Sequence, residues 1–199
     1  MAYLDNPVES PPPGDNPRAA RKAAEAAFRL AMRELASGVA LVTTGRDDAR
    51  AGCTATAVCS LSLEPPSLIV SISRASATLA RVRANGAFGV NILAGGHEHL
   101  ADRFSGRSGV RGAARFEGAR WIALATGSPL LEDALAAFDC AVEEIIERHT
   151  HAIVIGAVKA IRRHAGAACL LHWRGGYERP DTTHAAPVSR SSLHGDAPR

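Results

Sequence analysis

Small side chains and hydroxyls fill the run Ala51-Gly52-Cys53-Thr54-Ala55-Thr56-Ala57-Val58-Cys59-Ser60-Leu61-Ser62-Leu63-Glu64, and the double proline Pro65-Pro66 ends it. Read as one strand, the run sets Thr54 and Thr56 on one face and Cys53, Ala55 and Ala57 on the other. Small side chains let a flat ligand come close to the backbone. Hydroxyls and free amides can then hold polar ring edges, a sugar chain or phosphate oxygens without adding bulk. The same composition also suits an ordinary strand, so the rest of the chain must decide.

Other chemistries find less support. The glycines at 106, 109 and 112 do not follow a strand and open a helix, so they make no dinucleotide fingerprint. The chain has no P-loop, HExxH or GxSxG motif, and Ser128 lies in a Gly-Ser-Pro turn rather than a nucleophile elbow. Of the pairs His97-x-His99 and His149-x-His151, the second is spaced for one side of a strand, with His164 and His172 as distant third ligands. Solvated or hydrogen-bonded histidines explain them as well, and no metal is expected. Nothing near Cys53 or Cys59 would hold a thiolate. No side-chain acid, base or nucleophile emerges as catalytic.

The elements that must position these residues alternate short helices with many strands. A proline-rich tail is expected over residues 1–22, with helical periodicity from Arg18 carrying Phe28, Met32 and Leu35 to a stop at Gly38. Val39 to Thr44 reads as a buried strand whose hairpin partner is the opening run, and Ser67 to Ser73 reads as another strand. Ser76 is placed to cap a short helix over Leu79 to Asn85. Phe88 to Leu93 is a strand with Asn91 as its single polar residue, and His97 to Phe104 a second short helix. After a glycine-rich basic loop and a turn at Gly127 to Leu131, three strands are expected: Phe138 to Arg148, His151 to His164 and Ala168 to Trp173. Gly175-Gly176-Tyr177 closes the domain, expected over residues 23–178, and residues 179–199 read as a second tail. The fold class is mainly β with flanking helices.

Composition sets the frame. The chain has 199 residues, 46% of them hydrophobic, enough for one core. Its formal charge of +3 permits weak attraction to an anionic cofactor, yet no basic run with interleaved aromatics points to nucleic acid. Four scattered cysteines suit free thiols in a reducing compartment. With no apolar run long enough to span a membrane and no secretory pattern at the N-terminus, a cytoplasmic protein is expected.

In this order the segments resemble the flavin reductase-like, FMN-binding split β-barrel family, the reductase components of two-component flavin monooxygenases. The resemblance rests on Phe28-Arg29 with Met32 and Gly38-Val39, Val42-Thr43-Thr44, Gly52 with Thr54 to Ala57, Ser60, Pro65-Pro66 and Val90 to Leu93. It continues through Phe104, Arg115-Phe116, Trp121, Ser128 to Leu131, Phe138-Asp139-Cys140, His151 and Tyr177. Ala51 to Ser60 and Thr150-His151 are similar to the reductase of the pyrimidine-degradation system. The resemblance implies FMN or FAD as flavin, NADH or NADPH as hydride donor, a homodimer, and a partner monooxygenase that receives reduced flavin. It implies that Thr54, Ala55, Thr56 and Ser60 hold the isoalloxazine edge and ribityl chain, Ser76 the phosphate, and that Asn91 reaches the flavin. His151 and Tyr177 would line the nicotinamide side. One departure stands out: His149 occupies the place of a family glycine. A flavin carrier or sensor without reductase activity is the alternative that the same resemblance allows.

Overall fold

The computed structural model describes residues 16–164 and 168–180; most of both expected tails lies outside them. Helix α1 (Pro17–Met32) opens the described chain, with Asn16 accepting from the Arg18 and Ala19 amides, so residues 17–22 are helical. There follow β1 (Ser37–Gly38), β2 (Ala40–Thr44), β3 (Ala51–Ala55), β4 (Val58–Leu63), β5 (Pro66–Ser73), α2 (Ala77–Asn85), β6 (Ala87–Ile92) and α3 (Glu98–Ser105). Two short strands, β7 (Trp121–Ile122) and β8 (Leu130–Leu131), precede the long hairpin of β9 (Ala136–Arg148) and β10 (His151–Arg163). The last strands are β11 (Leu171–Trp173) and β12 (Gly176–Glu178).

Seven strands form the main sheet in the order β3-β2-β6-β9-β10-β5-β4, every neighbour antiparallel. The opening run is therefore not one strand. It divides at Thr56–Ala57, and its halves become the two opposite edges of the same sheet. From Ala55 to Val58 the chain can reach at most about 11 Å. The sheet must curl until its edges nearly meet, which is a barrel split along one seam.

Apolar residues explain the curl. Strand β2 is buried on both faces: Ala40 and Val42 join a core with Val70, Phe88, Val90 and Val154 that α2 plugs through Leu79 and Val82. Val39 and Leu41 turn to a second core with Leu100 and Phe104 of α3, Phe116 and Leu130. Each such side chain contributes about 1.5–3 kcal/mol on burial. Gly156 admits the Phe88 ring; a Cβ there would lie 2.5 Å from it.

The β9–β10 hairpin forms as the Val and Ile content predicts, with Arg148 opposite His151 and only His149 and Thr150 between the strands. His149 adopts φ +48, in the left-handed region that glycine enters most readily. His149 and His151 are thus not neighbours on one strand face. A three-stranded sheet of β1, β11 and β12 joins residues 37–38 to residues 171–178.

Candidate functional site

The seam carries a cleft of about 300 Å³, lined by Cys53 to Ala57 on one side and by Ser71, Ile72, Ser73, Ser76 and His151 on the other. Thr54 and Ala55 end β3, and Thr54 Oγ1 donates to Ala101 O of α3 at 2.6 Å, which fixes that wall against a helix. Thr56 stands exposed outside both strands, and Ala57 O accepts from Ser71 N at 3.0 Å, tying the joint to β5. Ser76 caps α2 by accepting from Thr78 N at 3.1 Å. His151 faces Ser73 across the β10–β5 ladder, its Nδ1 2.9 Å from Thr150 Oγ1.

The cleft is polar without being acid–base machinery. Burial pushes the Cys53 thiol up to about 11, against the lowering effects of Thr78, Arg115 and Ser76. It stays neutral at physiological pH and is no nucleophile. Beyond Ser76 the surface continues into a smaller hollow of about 220 Å³ between Ala77 and Thr78 at the start of α2 and the guanidinium groups of Arg111 and Arg115. Arg115 is held there by Gly52 O at 3.0 Å and Val110 O at 2.9 Å. Small residues and hydroxyls at the seam suit a flat ring and a polyol chain, and the positive end of α2 with two arginines suits a phosphate. The residues present fit a flavin nucleotide.

Five of the expected site residues therefore meet: Thr54, Ala55, Thr56, Ser76 and His151. Three do not. Ser60 lies beyond the joint on β4, exposed and opposite Leu68. Tyr177 sits on β12, where its hydroxyl donates to Asp102 Oδ1 at 2.9 Å; burial first, then Asp102, pushes the phenol up to about 12. Asn91 is fully buried, its Nδ2 donating to Leu41 O and Thr43 Oγ1 and its Oδ1 accepting from Leu131 N at 2.7 Å. It pins β8 to the sheet and does not reach the cleft. Ser71, Ser73, Arg111 and Arg115 are additions. The period-two spacing of Ser71 and Ser73 in Ser67 to Ser73 was the available signal.

A larger hollow of about 510 Å³ lies elsewhere, by Arg46, Arg50 and Trp121. Among the described residues no Ser or Thr lines it, whereas Thr54, Thr56, Ser71, Ser73 and Ser76 line the seam cleft. The seam remains the better candidate.

Residues 32–181 match the model of the flavin reductase like domain. The chain belongs to that family. Within it, the chain is 45% identical over 162 residues to FMN reductase (NADH) RutF 2 of Methylorubrum extorquens, covering 78% of this chain and 91% of that one. Among solved structures, BorF, the flavin reductase component of a bacterial two-component tryptophan halogenase, superposes with a TM-score of 0.73 at 31% identity, covering 79% of this chain and 99% of its own. The styrene monooxygenase flavin reductase of Pseudomonas putida S12 gives 0.68 at 26% identity, covering 77% and 97%. Flavin reductases share the split barrel, which fits the sheet order and the seam described above.

Proposed function

We propose that this flavin reductase-like protein oxidises NADH and reduces FMN, handing the reduced flavin to a separate flavin-dependent monooxygenase. The observation that carries this reading is the seam cleft, where small residues, hydroxyls and the start of α2 converge with His151 and no catalytic acid, base or nucleophile is present. A bound flavin supplies the hydride-accepting ring, and the protein supplies binding, orientation and exclusion of water. Ala55 and Ala57 keep the wall low enough for close stacking. Thr54 holds that wall to α3, and Thr56 offers a hydroxyl to the ribityl side. Ser76 at the start of α2, with Arg111 and Arg115 across the adjoining hollow, takes the phosphate, and His151 meets the nicotinamide at the rim.

The relative's name favours NADH over NADPH and FMN over FAD. No helix among the described residues is long and apolar enough to cross a membrane, which is consistent with a cytoplasmic enzyme. A homodimer is part of the proposal, because Phe28, Leu30, Leu35, Leu61 and Leu63 are all more than half exposed. A steady-state assay crossing NADH and NADPH with FMN, FAD and riboflavin tests the reading. We expect fastest turnover with NADH and FMN; flavin binding with no oxidation of either nicotinamide sinks the reductase and leaves a carrier.

A further inference from the structure

The tip of the β9–β10 hairpin carries charges outside the groups proposed to hold flavin. Glu147 stands opposite Ala152, the next pair along the ladder from Arg148 and His151. Its carboxylate takes two guanidinium groups at once: Arg74, just past β5, at 2.7 Å, and Arg83 of α2. Arg74 is fixed further, since its Nη1 donates to His149 O at 3.0 Å and its amide to Thr150 O at 2.9 Å. Arg83 makes no other side-chain hydrogen bond among the described residues.

These three side chains line a hollow of about 540 Å³ together with Ser73, Ala75, His149 and Thr150. Ser73 also lines the seam cleft, where it faces His151 across the β10–β5 ladder. The hollow thus adjoins the cleft at the rim where the nicotinamide is proposed to sit. The other outlet, past Ser76 to Arg111 and Arg115, is taken up by the proposed flavin phosphate. A dinucleotide whose nicotinamide meets His151 is left the hairpin-tip hollow for its adenosine half.

Charge at that place bears on which dinucleotide fits. Guanidinium forks suit phosphate oxygens, so a free pair here would welcome the extra phosphate that NADPH carries on its adenosine ribose. Glu147 works against this in two ways. It occupies an N–H of each guanidinium, and it sets a carboxylate against an incoming dianion. NADH has a hydroxyl at the same position, which a carboxylate can accept as a hydrogen-bond donor.

We propose that Glu147 sets the choice of hydride donor. Held between Arg74 and Arg83, it admits the 2′-hydroxyl of NADH and turns away the 2′-phosphate of NADPH. The inference rests on the reductase reading above and names the residue behind its preference for NADH.

The Glu147 side chain is 39% exposed, so Glu147→Gln should leave the melting temperature nearly unchanged. With both guanidinium groups released, the ratio of kcat/KM for NADPH to that for NADH should rise about ten-fold, through KM for NADPH. Calorimetry on the protein without flavin gives a second reading. Adenosine 2′,5′-bisphosphate should bind Glu147→Gln about ten-fold more tightly than wild type, and 5′-AMP should gain much less. The double variant E147Q/R83Q should bring both readings back toward wild type, because one receiving guanidinium is gone. Wild-type protein that oxidises neither nicotinamide overturns the reductase and this inference together. A wild-type preference for NADH that Glu147→Gln leaves intact overturns the inference alone. So does equal use of NADPH by the wild type, or a gain that persists in E147Q/R83Q. A shift in FMN against riboflavin affinity, with the donor ratio unmoved, would assign the two arginines to the flavin phosphate and overturns it as well.

Discussion

Strands β3 and β4 leave the same run of small residues and end as opposite edges of one sheet, yet they are treated differently. Strand β3 is covered: Phe104 of α3 lies against Gly52, Arg115 donates to Gly52 O, and Thr54 bonds to α3. Strand β4 has no such cover among the described residues, and Cys59, Ser60, Leu61 and Leu63 vary from moderately to almost fully exposed. Composition does not separate them. What separates them is whether a helix returns to pack on the edge. A bare edge strand is a liability in a soluble protein unless something pairs with it or lies over it.

A matched pair of substitutions gives the largest expected contrast. A side chain at Gly52 meets the Phe104 ring at 2.6 Å and Val42 O at 2.9 Å, so Gly52→Val should cost about 2–3 kcal/mol in denaturant unfolding. Ser60→Val, at an exposed position of β4, should stay within about 0.5 kcal/mol. Equal losses would end the distinction between a covered and an uncovered edge. The second test addresses the joint between the edges. His151→Ala should raise KM for NADH about ten-fold and leave flavin affinity unchanged, because the groups proposed to hold flavin lie on β3, the joint and α2. A fall in melting temperature with unaltered kinetics would make His151 a packing residue. The smallest effect concerns the hairpin tip beside that rim. His149→Gly should stabilise the fold by about 1 kcal/mol through its φ of +48, with little change in KM; a KM shift as large as that of His151→Ala would mean that the tip itself contacts substrate.

Much of this architecture was legible because local pattern and fold agree. The β9–β10 hairpin follows from its β-branched residues, and Ser76 announces α2 by its position before a helical period. The break at Thr56 was not legible, since neither proline nor glycine marks it and period two runs smoothly through. The resemblance grouped Ser60 with Thr54 to Thr56, whereas the structure sets it on the other edge, outside the lining of the cleft. Asn91 misled for a different reason: a lone amide on an apolar strand reads the same whether it meets a ligand or, as here, a backbone amide of β8 brought from forty residues away. Arg115 carried a signal in its place before Phe116, but its charge gained meaning only when the loop folded back onto Gly52. The pairing of β1 with β11 spans most of the chain and leaves no local trace.

Because Thr56 and Ala57 join the first and last strands of one sheet, unfolding the barrel must open this seam. A flavin seated there would act as a latch, and each ten-fold rise in free flavin well above its dissociation constant would add about 1.4 kcal/mol to the stability of the whole domain. Heat resistance would then report occupancy of the seam in the absence of any hydride donor, and a cell short of flavin would hold this protein in its most easily melted form.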